Sequence, residues 1–510
     1  MIASLIHPLS FKLILYLSGP PIAGLIRFPA KESDMTFERL SNFIGGAFIA
    51  SASSENFDLI DPTTGSVNGV SPKSNADDVE RALNVAQEAF KCWRETTPSQ
   101  RQHYLLKLAD ALEAESEAII KAQSRNTGQL YHMLATEEMA PGIDQIRFFA
   151  GAARMLEGRA SAEYIEGLTS SIRREPLGVI AQVAPWNYPF MMAVWKVIPA
   201  IAAGNTVVLK PSDTTPESTL LFAKIAADIL PKGVFNVILG DAETGALLMQ
   251  HPLPQMVSIT GSVRAGREVA TAAAQNLTKS HLELGGKAPV IVFADSDLDR
   301  AADHIAMTGL FNAGQDCTAA TRVLVEASIY DQFLNKLVER TKNYSYGSPG
   351  DESAHYGPLN NARQLKRIEE MIARLPPHGK IEIGGKQADR PGYYFEATVI
   401  SGLTQEDELI QTEIFGPVIT VQSFINDDDA LEQANGVIYG LAASVWTESH
   451  SRAQRFAKYL DFGTVWLNTH IPLTAEMPHG GFKSSGYGKD LSLYGLEEYT
   501  RIKHVMSALN

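Results

Sequence analysis

The chain has 510 residues, of which 45% are hydrophobic and 20% charged, as in a globular protein with a large core rather than a disordered or collagen-like chain. Its 44 Lys and Arg against 58 Asp and Glu give a net charge of −14, which argues against nucleic-acid and anionic-membrane partners, because polyanions bind clustered basic side chains. Two cysteines, Cys92 and Cys317, cannot build a disulfide framework, so we expect a cytoplasmic protein. At roughly 150 residues per domain, the length predicts about three structural units.

Residues 1–34 differ in composition from the rest of the chain. The apolar run from Leu13 to Ile26 is broken by Gly19-Pro20-Pro21 and is shorter than the roughly 20 residues of a membrane helix. A secretory signal would also need a more basic leading segment. We expect an extension of uncertain status, such as an over-called start codon, ahead of a domain that begins near Met35. A cryptic targeting segment is the alternative.

An amphipathic helix is predicted from Asn75 onward. Apolar side chains recur at spacings of three and four residues, as on one helical face, at Val79, Leu83, Ala86, Phe90 and Trp93. Cys92 lies next to that face, and we expect it to be a packed or half-exposed residue without a chemical role.

Short apolar runs alternate with helical stretches between Gly178 and Ile259. The predicted strands are Val179–Ala184, Thr206–Leu209, Phe235–Leu239 and Met256–Ile259, and the predicted helices between them are Met191–Ala203 and Pro216–Leu230. This alternation predicts a doubly wound parallel sheet, in which ligands bind at the carboxyl ends of the strands. A second α/β series runs from Ala288–Phe293 to Thr464–Leu467.

The strands of the first sheet lack the usual G-x-G-x-x-G fingerprint of dinucleotide sites. Instead, Gly240–Gly245 and Gly261–Gly266 follow two of the strands, and each can begin a helix whose amides face a phosphate. Either segment can equally be an ordinary turn. Lys210-Pro211-Ser212-Asp213 follows another strand, where a lysine and a carboxylate can hold ribose hydroxyls. A solvated turn with a helix cap is the alternative for that segment.

Cys317 lies in a small, polar segment, Phe311–Thr318, whereas a core cysteine normally lies among aliphatic residues. A nucleophilic thiol needs exposure, deprotonation and room for a substrate. Asp316 acts against this, because an adjacent carboxylate raises the pKa of a thiol unless it points away.

Two further segments carry polar groups suited to acyl chemistry. Glu283 lies between two leucines and ahead of Gly285-Gly286, where desolvation raises the pKa of a carboxyl toward that of a general base. Asn187 lies between two prolines at the end of a predicted strand, where its amide can complete an oxyanion hole with a backbone N–H.

Seven segments in this order resemble the motifs of the NAD(P)-dependent aldehyde dehydrogenase family over the chain from about Met35. They are Pro185–Pro189, Lys210–Asp213, Gly261–Gly266, Leu282–Lys287, the Cys317 segment, Thr412–Pro417 and Pro478–Lys483. The resemblance implies the aldehyde dehydrogenase fold: a Rossmann-like cofactor domain, an α/β catalytic domain and a small β oligomerisation arm. The implied boundaries are 35–158 with 178–285, 286–484, and 159–177 with 485–510. It also implies a homo-oligomer, more often a tetramer than a dimer.

The resemblance implies a role for individual residues. Cys317 would be the nucleophile, Glu283 the base that activates water for hydrolytic release, Asn187 the oxyanion donor, and Lys196 and Asp490 the relay for the proton that leaves Glu283. The NAD-binding residues would be Pro185, Trp186, Lys210, Ser212, Asp213, Gly245, Gly261, Ser262, Leu284, Glu413 and Phe415. The carboxylate of Asp213 favours NAD over NADP, because it repels a 2′-phosphate. Many relatives have an additional glycine in the loop Asp241–Glu243, which puts a phosphate contact there in doubt, and no metal is implied.

Within the family, two stretches are most similar to γ-aminobutyraldehyde dehydrogenases of putrescine breakdown: Ile146–Arg154 and Glu476–Gly495. A cationic aldehyde needs aromatic faces and carboxylates around its ammonium. Tyr188 and Phe311 match positions that line the family's substrate tunnel, and Glu138, Asp144 and Glu476 are the candidate carboxylates, although a carboxylate of this kind is more often an ordinary surface or helix charge. The alternatives are a betaine aldehyde or broad-range aldehyde dehydrogenase, a cysteine hydrolase, or a non-catalytic scaffold of the same fold.

Overall fold

The structure, a computed structural model, describes residues 39–158 and 161–509. The extension predicted over residues 1–34 lies outside these ranges. Within them, no helix combines the length and the apolar character needed to cross a membrane.

An eight-stranded sheet carries the first half of the chain. Its strands, in spatial order, are Ala47–Ile49, Asn42–Ile44, Phe235–Val237, Thr206–Lys210, Val179–Val183, Met256–Gly261, Lys279–Leu284 and Gly486–Tyr487. The five strands from Phe235–Val237 to Lys279–Leu284 are parallel, which confirms the predicted doubly wound sheet. The order of strands reverses between Val179–Val183 and Met256–Gly261, and such a switch point is where ligands bind in open α/β sheets.

Ten helical segments accompany this sheet. They are Ala76–Trp93, Pro98–Ala114, Ser116–Thr127, Tyr131–Met133, the π-helical turn Leu134–Met139, Ala140–Ala152, Pro189–Ala202, Glu217–Ala227, Ala242–Gln250 and Val263–Asn276. The first has Asn75 as its N-cap in a capping box with Asp78. It buries the predicted face except for Phe90, which is half-buried, while Cys92 is exposed.

A seven-stranded sheet carries the second half. Its strands, in spatial order, are Lys380–Ile383, Thr398–Ser401, Val418–Phe424, Arg322–Glu326, Pro289–Val292, Ala442–Trp446 and Thr464–Leu467. Its helical segments are Leu298–Leu310, Phe311–Gly314, Ala327–Ile329, Tyr330–Thr341, Ala362–Ala373, Glu408–Gln411, Asp427–Asn435 and His450–Tyr459. All pairings are parallel except that of the edge strand Lys380–Ile383, so the predicted second α/β series is also present.

Smaller elements complete the fold. Two short antiparallel pairs join Asn56–Ile60 to Val67–Pro72 and Tyr439–Gly440 to Phe482–Lys483, and a last helix covers Ser492–Glu498. A three-stranded antiparallel sheet consists of Ala162–Ile165, Leu168–Pro176 and Thr500–Ala508. It exposes apolar side chains, among them Tyr164, Ile165 and Ile502. This sheet occupies the segments predicted as the oligomerisation arm, whose assembly role stays a prediction.

Candidate active site

Cys317 lies where the two sheets meet, just before the strand Arg322–Glu326. A Cβ on Gly286 would come within 2.1 Å of the Cys317 carbonyl oxygen, so the loop after Glu283 needs a glycine to pass this close to the cysteine. Cys317 is half-buried. Burial raises the pKa of its thiol well above its usual range, and the charges of Asp316, Glu413 and Glu283 raise it further.

Asp316, the carboxylate next to the thiol, is held by three donors. It accepts hydrogen bonds from the backbone N–H and the hydroxyl of Thr318, both at 2.6 Å, and from the Tyr188 hydroxyl at 2.7 Å. These bonds fix the carboxylate, but its charge still raises the pKa of the thiol, which is the effect expected from the sequence.

Asn187 is buried at the end of the loop that follows the strand Val179–Val183. Its Nδ2 donates to the carbonyl oxygen of Gln315 (3.0 Å), which leaves its second amide proton for another acceptor. The backbone carbonyl oxygen of Asn187 accepts hydrogen bonds from Gln129 Nε2 (2.9 Å) and Asn312 Nδ2 (3.0 Å). Sequence reasoning missed Gln129 and Asn312 as supports for this loop.

Glu283 belongs to a buried ionisable cluster with Lys196 and Asp490, two residues whose relay role stays a prediction. Burial and the charge of Asp490 raise the pKa of Glu283 well above its usual range. Burial raises the pKa of Asp490 to about 6, and it lowers the pKa of Lys196. Lys196 Nζ donates to Ser258 Oγ at 3.0 Å. Desolvation therefore pushes all three groups toward their neutral forms.

His281, which the sequence reasoning missed, lies in the same cluster and is fully buried. Its Nε2 is 3.8 Å from Glu283 Oε1 and 3.7 Å from Asp490 Oδ1. A histidine and two carboxylates within 4.8 Å of one another offer ligand atoms to a cation. Lys196 acts on the same two carboxyl groups, so we assign no metal to this cluster.

The residues expected to hold the adenosine end of a cofactor lie at the carboxyl ends of neighbouring strands. Lys210 Nζ donates to the carbonyl oxygens of Pro211 (2.7 Å) and Gly240 (2.9 Å), and burial lowers its pKa to about 8. Ser212 Oγ donates to Asp213 Oδ1 at 3.1 Å, and Asp213 also accepts from exposed Arg363.

Two helices begin beside these residues, as the glycine segments predicted. Gly245 lies in the first turn of the helix Ala242–Gln250, where a Cβ would come within 3.4 Å of Lys210 Cε. Gly261 ends a strand, and Ser262 caps the helix Val263–Asn276 by accepting from the N–H of Ala265. The first-turn amides of such helices suit a diphosphate.

The residues expected near the nicotinamide lie between this edge and Cys317. Glu413 Oε1 accepts from the N–H of Gly286 at 2.9 Å, and burial raises the pKa of Glu413 to about 7. The rings of Trp186 and Phe415 meet edge to face with centroids 5.2 Å apart. Leu284 packs against the helix turn at Gly266, where a Cβ would be 2.4 Å from its Cδ1. Pro185 is half-buried at the start of the Asn187 loop.

A pocket that is open to solvent, with about 310 Å³ of empty space, adjoins Tyr188 and Phe311. It is lined by Gln129, Leu130, Met133, Leu134, Glu137, Glu138, Tyr188, Phe311, Asn312, Tyr356 and Gly357. The rings of Tyr188 and Phe311 are stacked with centroids 6.3 Å apart. Sequence reasoning identified Tyr188, Phe311 and Glu138 and missed Glu137 and Tyr356.

The three candidate carboxylates lie in two different environments. Glu138 is buried, accepts from the N–H of Met191 (2.9 Å) and from Gln123 Nε2, and burial raises its pKa to about 7. Asp144 and Glu476 are exposed and lie outside the pocket lining. The charge of Glu476 helps raise the pKa of Asp144, which indicates that the two carboxylates lie near each other.

Comparison with known proteins places this site in a family. A sequence model described as the aldehyde dehydrogenase family matches residues 48–505. A crystal structure of betaine aldehyde dehydrogenase from Staphylococcus aureus in complex with NAD⁺ is 35% identical, with a TM-score of 0.90 over 92% of this chain and 95% of that one. A putative aldehyde dehydrogenase from Burkholderia cenocepacia is also 35% identical, with a TM-score of 0.90 over 92% of this chain and 98% of that one.

These matches confirm the predicted fold class and the predicted aldehyde dehydrogenase activity. The predicted cofactor, NAD, is the ligand in the Staphylococcus aureus structure. The narrower resemblance to γ-aminobutyraldehyde dehydrogenases stays a prediction. The chain belongs to the aldehyde dehydrogenase family.

Proposed function

We propose that the protein oxidises a cationic aldehyde to its carboxylic acid with NAD, through a covalent intermediate on Cys317. The observation that carries this proposal is the grouping of a thiol, an amide donor and a buried carboxyl around the loop Leu284–Lys287. Gly286 allows this loop to pass within van der Waals contact of Cys317. A cysteine hydrolase would have no use for the cofactor residues beside it.

The cofactor residues fit NAD. Lys210 and Asp213 would hold the adenosine ribose with Ser212 beside them, and the helix turns at Gly245 and at Gly261-Ser262 would face the diphosphate. Glu413, a buried carboxylate fixed by the N–H of Gly286, would hold the second ribose, with Pro185, Trp186, Leu284 and Phe415 around the ring. When bound, NAD accepts the hydride that leaves the aldehyde carbon.

The protein's own residues perform the remaining steps. The Cys317 thiolate attacks the aldehyde carbon, and the free amide proton of Asn187 and the backbone N–H of Cys317 bind the resulting oxyanion. Losing one such donor typically costs about 3–4 kcal/mol of barrier lowering. Once hydride has left, the intermediate is a thioester, and Glu283 removes a proton from the water that hydrolyses it. The raised pKa of Glu283 suits a general base, which must later release that proton to Lys196 and Asp490.

We propose 4-aminobutyraldehyde as the substrate, with its ammonium group in the pocket beside Tyr188. The pocket combines two carboxyl groups, Glu137 and Glu138, with the rings of Tyr188, Phe311 and Tyr356. The charges of Cys317 and Glu138 both act on the Tyr188 hydroxyl, so Tyr188 lies near both the thiol and the carboxyl. An ammonium group donates hydrogen bonds to carboxylates, and a cation over an aromatic face gains about 0.5–2 kcal/mol.

Betaine aldehyde is the second candidate. Its trimethylammonium group donates no hydrogen bond and depends on aromatic faces, of which the pocket has three. The betaine aldehyde dehydrogenase of Staphylococcus aureus, at 35% identity, also favours it.

We further propose that the protein is a homo-oligomer, a tetramer rather than a dimer, assembled through the three-stranded sheet. The exposed side chains of Tyr164, Ile165 and Ile502 support this, because exposed apolar patches mark association sites. Light scattering on wild type and on Ile502→Lys would show whether the mass falls with the substitution. An unchanged mass would refute this assignment of the interface.

The test of function is NADH formation, followed by absorbance, with 4-aminobutyraldehyde, betaine aldehyde and uncharged butyraldehyde. We expect the highest kcat/KM for 4-aminobutyraldehyde and no turnover by Cys317→Ala, with Cys92→Ala as the matched control that keeps full activity. Preference for butyraldehyde would refute the cation pocket. Failure of every aldehyde to yield NADH would refute the enzyme proposal.

A further inference from the structure

A row of polar side chains crosses the buried interior of the eight-stranded sheet. In the parallel ladders, Gln182 pairs with Ser258, and Ser258 pairs with His281. All three are fully buried, although buried parallel strands are normally continuous runs of aliphatic residues. Side chains two residues apart share a face of a strand, so His281 and Glu283 point to the same side. The row therefore leads from the middle of the sheet to Glu283.

The polar atoms along this row form a connected path. Lys196 Nζ donates to Ser258 Oγ at 3.0 Å, and Ser258 Oγ is 3.5 Å from His281 Nδ1. On the other side of the ring, His281 Nε2 is 3.8 Å from Glu283 Oε1. His281 Nε2 and Glu283 Oε1 have no hydrogen-bond partner among the residues that the structure describes. Leaving a buried polar atom without a hydrogen-bond partner costs free energy. We therefore expect these two atoms to share a hydrogen bond when one of them carries a proton.

The imidazole is also held against the cluster by its surroundings. A Cβ on Gly488, whose φ is +94°, would come within 2.3 Å of His281 Cδ2, so a glycine is needed where this turn presses on the ring. The ring lies near Tyr499, with centroids 6.5 Å apart. The charged groups that act on it are Glu283, Asp490, Lys196, Lys279 and Lys489. Burial and the three lysine charges lower the pKa of His281 well below its usual value, which keeps the ring neutral. A neutral ring of this kind can take a proton at Nε2 as it releases the one on Nδ1, without becoming an imidazolium.

We propose that His281 carries protons away from Glu283 during thioester hydrolysis, through Ser258 to Lys196. This inference rests on the proposed function and adds a branch to the path through Lys196 and Asp490. After Glu283 has taken a proton from the attacking water, it passes that proton to His281 Nε2. His281 Nδ1 gives up its own proton to Ser258 Oγ, and the Ser258 hydroxyl proton passes to Lys196 Nζ in its amine form. Glu283, His281 and Ser258 each accept one proton and give one, so Glu283 returns to the carboxylate, His281 ends as its other neutral tautomer, and Lys196 ends as the ammonium.

His281 is a positioning and relay residue that acts through Glu283, so its loss slows hydrolysis without slowing the steps before it. The ratio kcat/KM reports the steps up to hydride transfer, and kcat also includes hydrolysis. With His281→Gln and with His281→Asn, we expect kcat and KM to fall together by roughly 10- to 100-fold, at the low end of what proton transfer by a side chain contributes. The ratio kcat/KM stays within about twofold of wild type, and a burst of NADH equal to the active sites precedes the slow phase.

Two companion variants separate a relay from a packing effect. Ser258→Ala interrupts the next step, so it gives the same pattern, and the double variant His281→Gln/Ser258→Ala is no slower than either single variant. Tyr499→Phe is the matched control. It removes a hydroxyl that contacts Gln182 (3.3 Å) and Ser258 but does not lie between His281 and Lys196, so kcat stays within about twofold.

The measurement is stopped-flow NADH absorbance with the best aldehyde of the panel above, followed by steady-state rates. The relay is overturned if the His281 variants keep the wild-type kcat, if kcat/KM falls in parallel with kcat, or if the two single effects multiply in the double variant. Wild type that forms NADH in a burst but never turns over would refute hydrolytic release, and with it the relay. Normal wild-type turnover with unaffected His281 variants refutes the relay alone.

Discussion

Glu138 offers the most specific test of the substrate pocket, because its burial determines both the free energy needed to ionise its carboxyl and the strength of its interaction with a bound cation. Raising its pKa from 4.5 to about 7 makes its ionisation cost about 3 kcal/mol more than in water, at 1.36 kcal/mol per pKa unit. A substrate cation in the pocket offsets that cost, since an opposite charge stabilises the carboxylate. Binding of the cation therefore favours the ionised carboxyl, and ionisation favours binding.

We expect Glu138→Gln to lower kcat/KM for 4-aminobutyraldehyde by roughly 10- to 150-fold, as for a lost hydrogen bond to a charged group of about 1.5–3 kcal/mol. The kcat/KM for uncharged butyraldehyde, which makes no such bond, changes by no more than about twofold. The matched control is Glu476→Gln, which alters an exposed carboxylate outside the pocket lining and leaves both substrates unaffected.

The pH dependence of cation binding follows from the raised pKa of Glu138. Glu138 is protonated below about pH 7 and ionised above it, so the affinity for a cation rises with pH through about 7. The assay is the ratio of kcat/KM for 4-aminobutyraldehyde to that for butyraldehyde, in which the titration of Cys317 and Glu283 cancels. We expect this ratio to rise through pH 7 in wild type and to be flat in Glu138→Gln. A ratio that is flat in wild type, or that changes in Glu137→Gln but not in Glu138→Gln, would refute the reasoning.

Three further outcomes are expected. Glu283→Gln removes the base for hydrolysis, so stopped-flow absorbance should show one equivalent of NADH per site and a steady-state kcat roughly 100-fold or more below wild type; unchanged turnover would contradict its role. Asp316→Asn removes a charge that raises the pKa of Cys317, so iodoacetamide should alkylate that thiol faster at pH 7, as followed by mass spectrometry, and a slower rate would contradict the sign. Gly488→Ala forces a side chain into a positive φ and against His281, so thermal unfolding should show destabilisation of about 1–3 kcal/mol, whereas an unchanged midpoint would contradict the contact.

The sheets could be predicted because their signal is local. Each central strand is a short apolar run followed by a helical stretch, and the apolar runs Val179–Val183 and Met256–Gly261 lie within one residue of the prediction at their start. Errors occur at strand ends, where buried apolar residues continue beyond the last paired residue. The predicted strand Phe235–Leu239 pairs only as far as Val237, for example.

The site residues that sequence reasoning did not identify fall into two physical classes. Gln129 and Asn312 support Asn187 from segments 58 and 125 residues away, and although Asn312 lies in the Cys317 segment, nothing in the sequence shows that either amide contacts Asn187. His281 did leave a signal, because a histidine two residues before a buried glutamate shares its face of a strand. The choice among Glu138, Asp144 and Glu476 could not be made from sequence, since their burial depends on the packing of distant elements.

The charges around Cys317 explain why the site needs a cation. Asp316, Glu413 and Glu283 all raise the pKa of the thiol, on top of the effect of its burial, and no lysine or arginine of the described residues is among the groups that lower it. Glu413 itself ionises at about pH 7, beside the position expected for the nicotinamide. An oxidised nicotinamide ring carries a positive charge, so in this acidic site it stabilises both a thiolate and the Glu413 carboxylate. In the proposed mechanism, the acidic surroundings would keep the thiol protonated until an oxidised cofactor is in place, and they would disfavour the thiolate again once the ring has become neutral by reduction. Hydrolysis would then depend on Glu283 rather than on the thiol, so the proposed path from Glu283 through His281 would belong to the second half of the reaction.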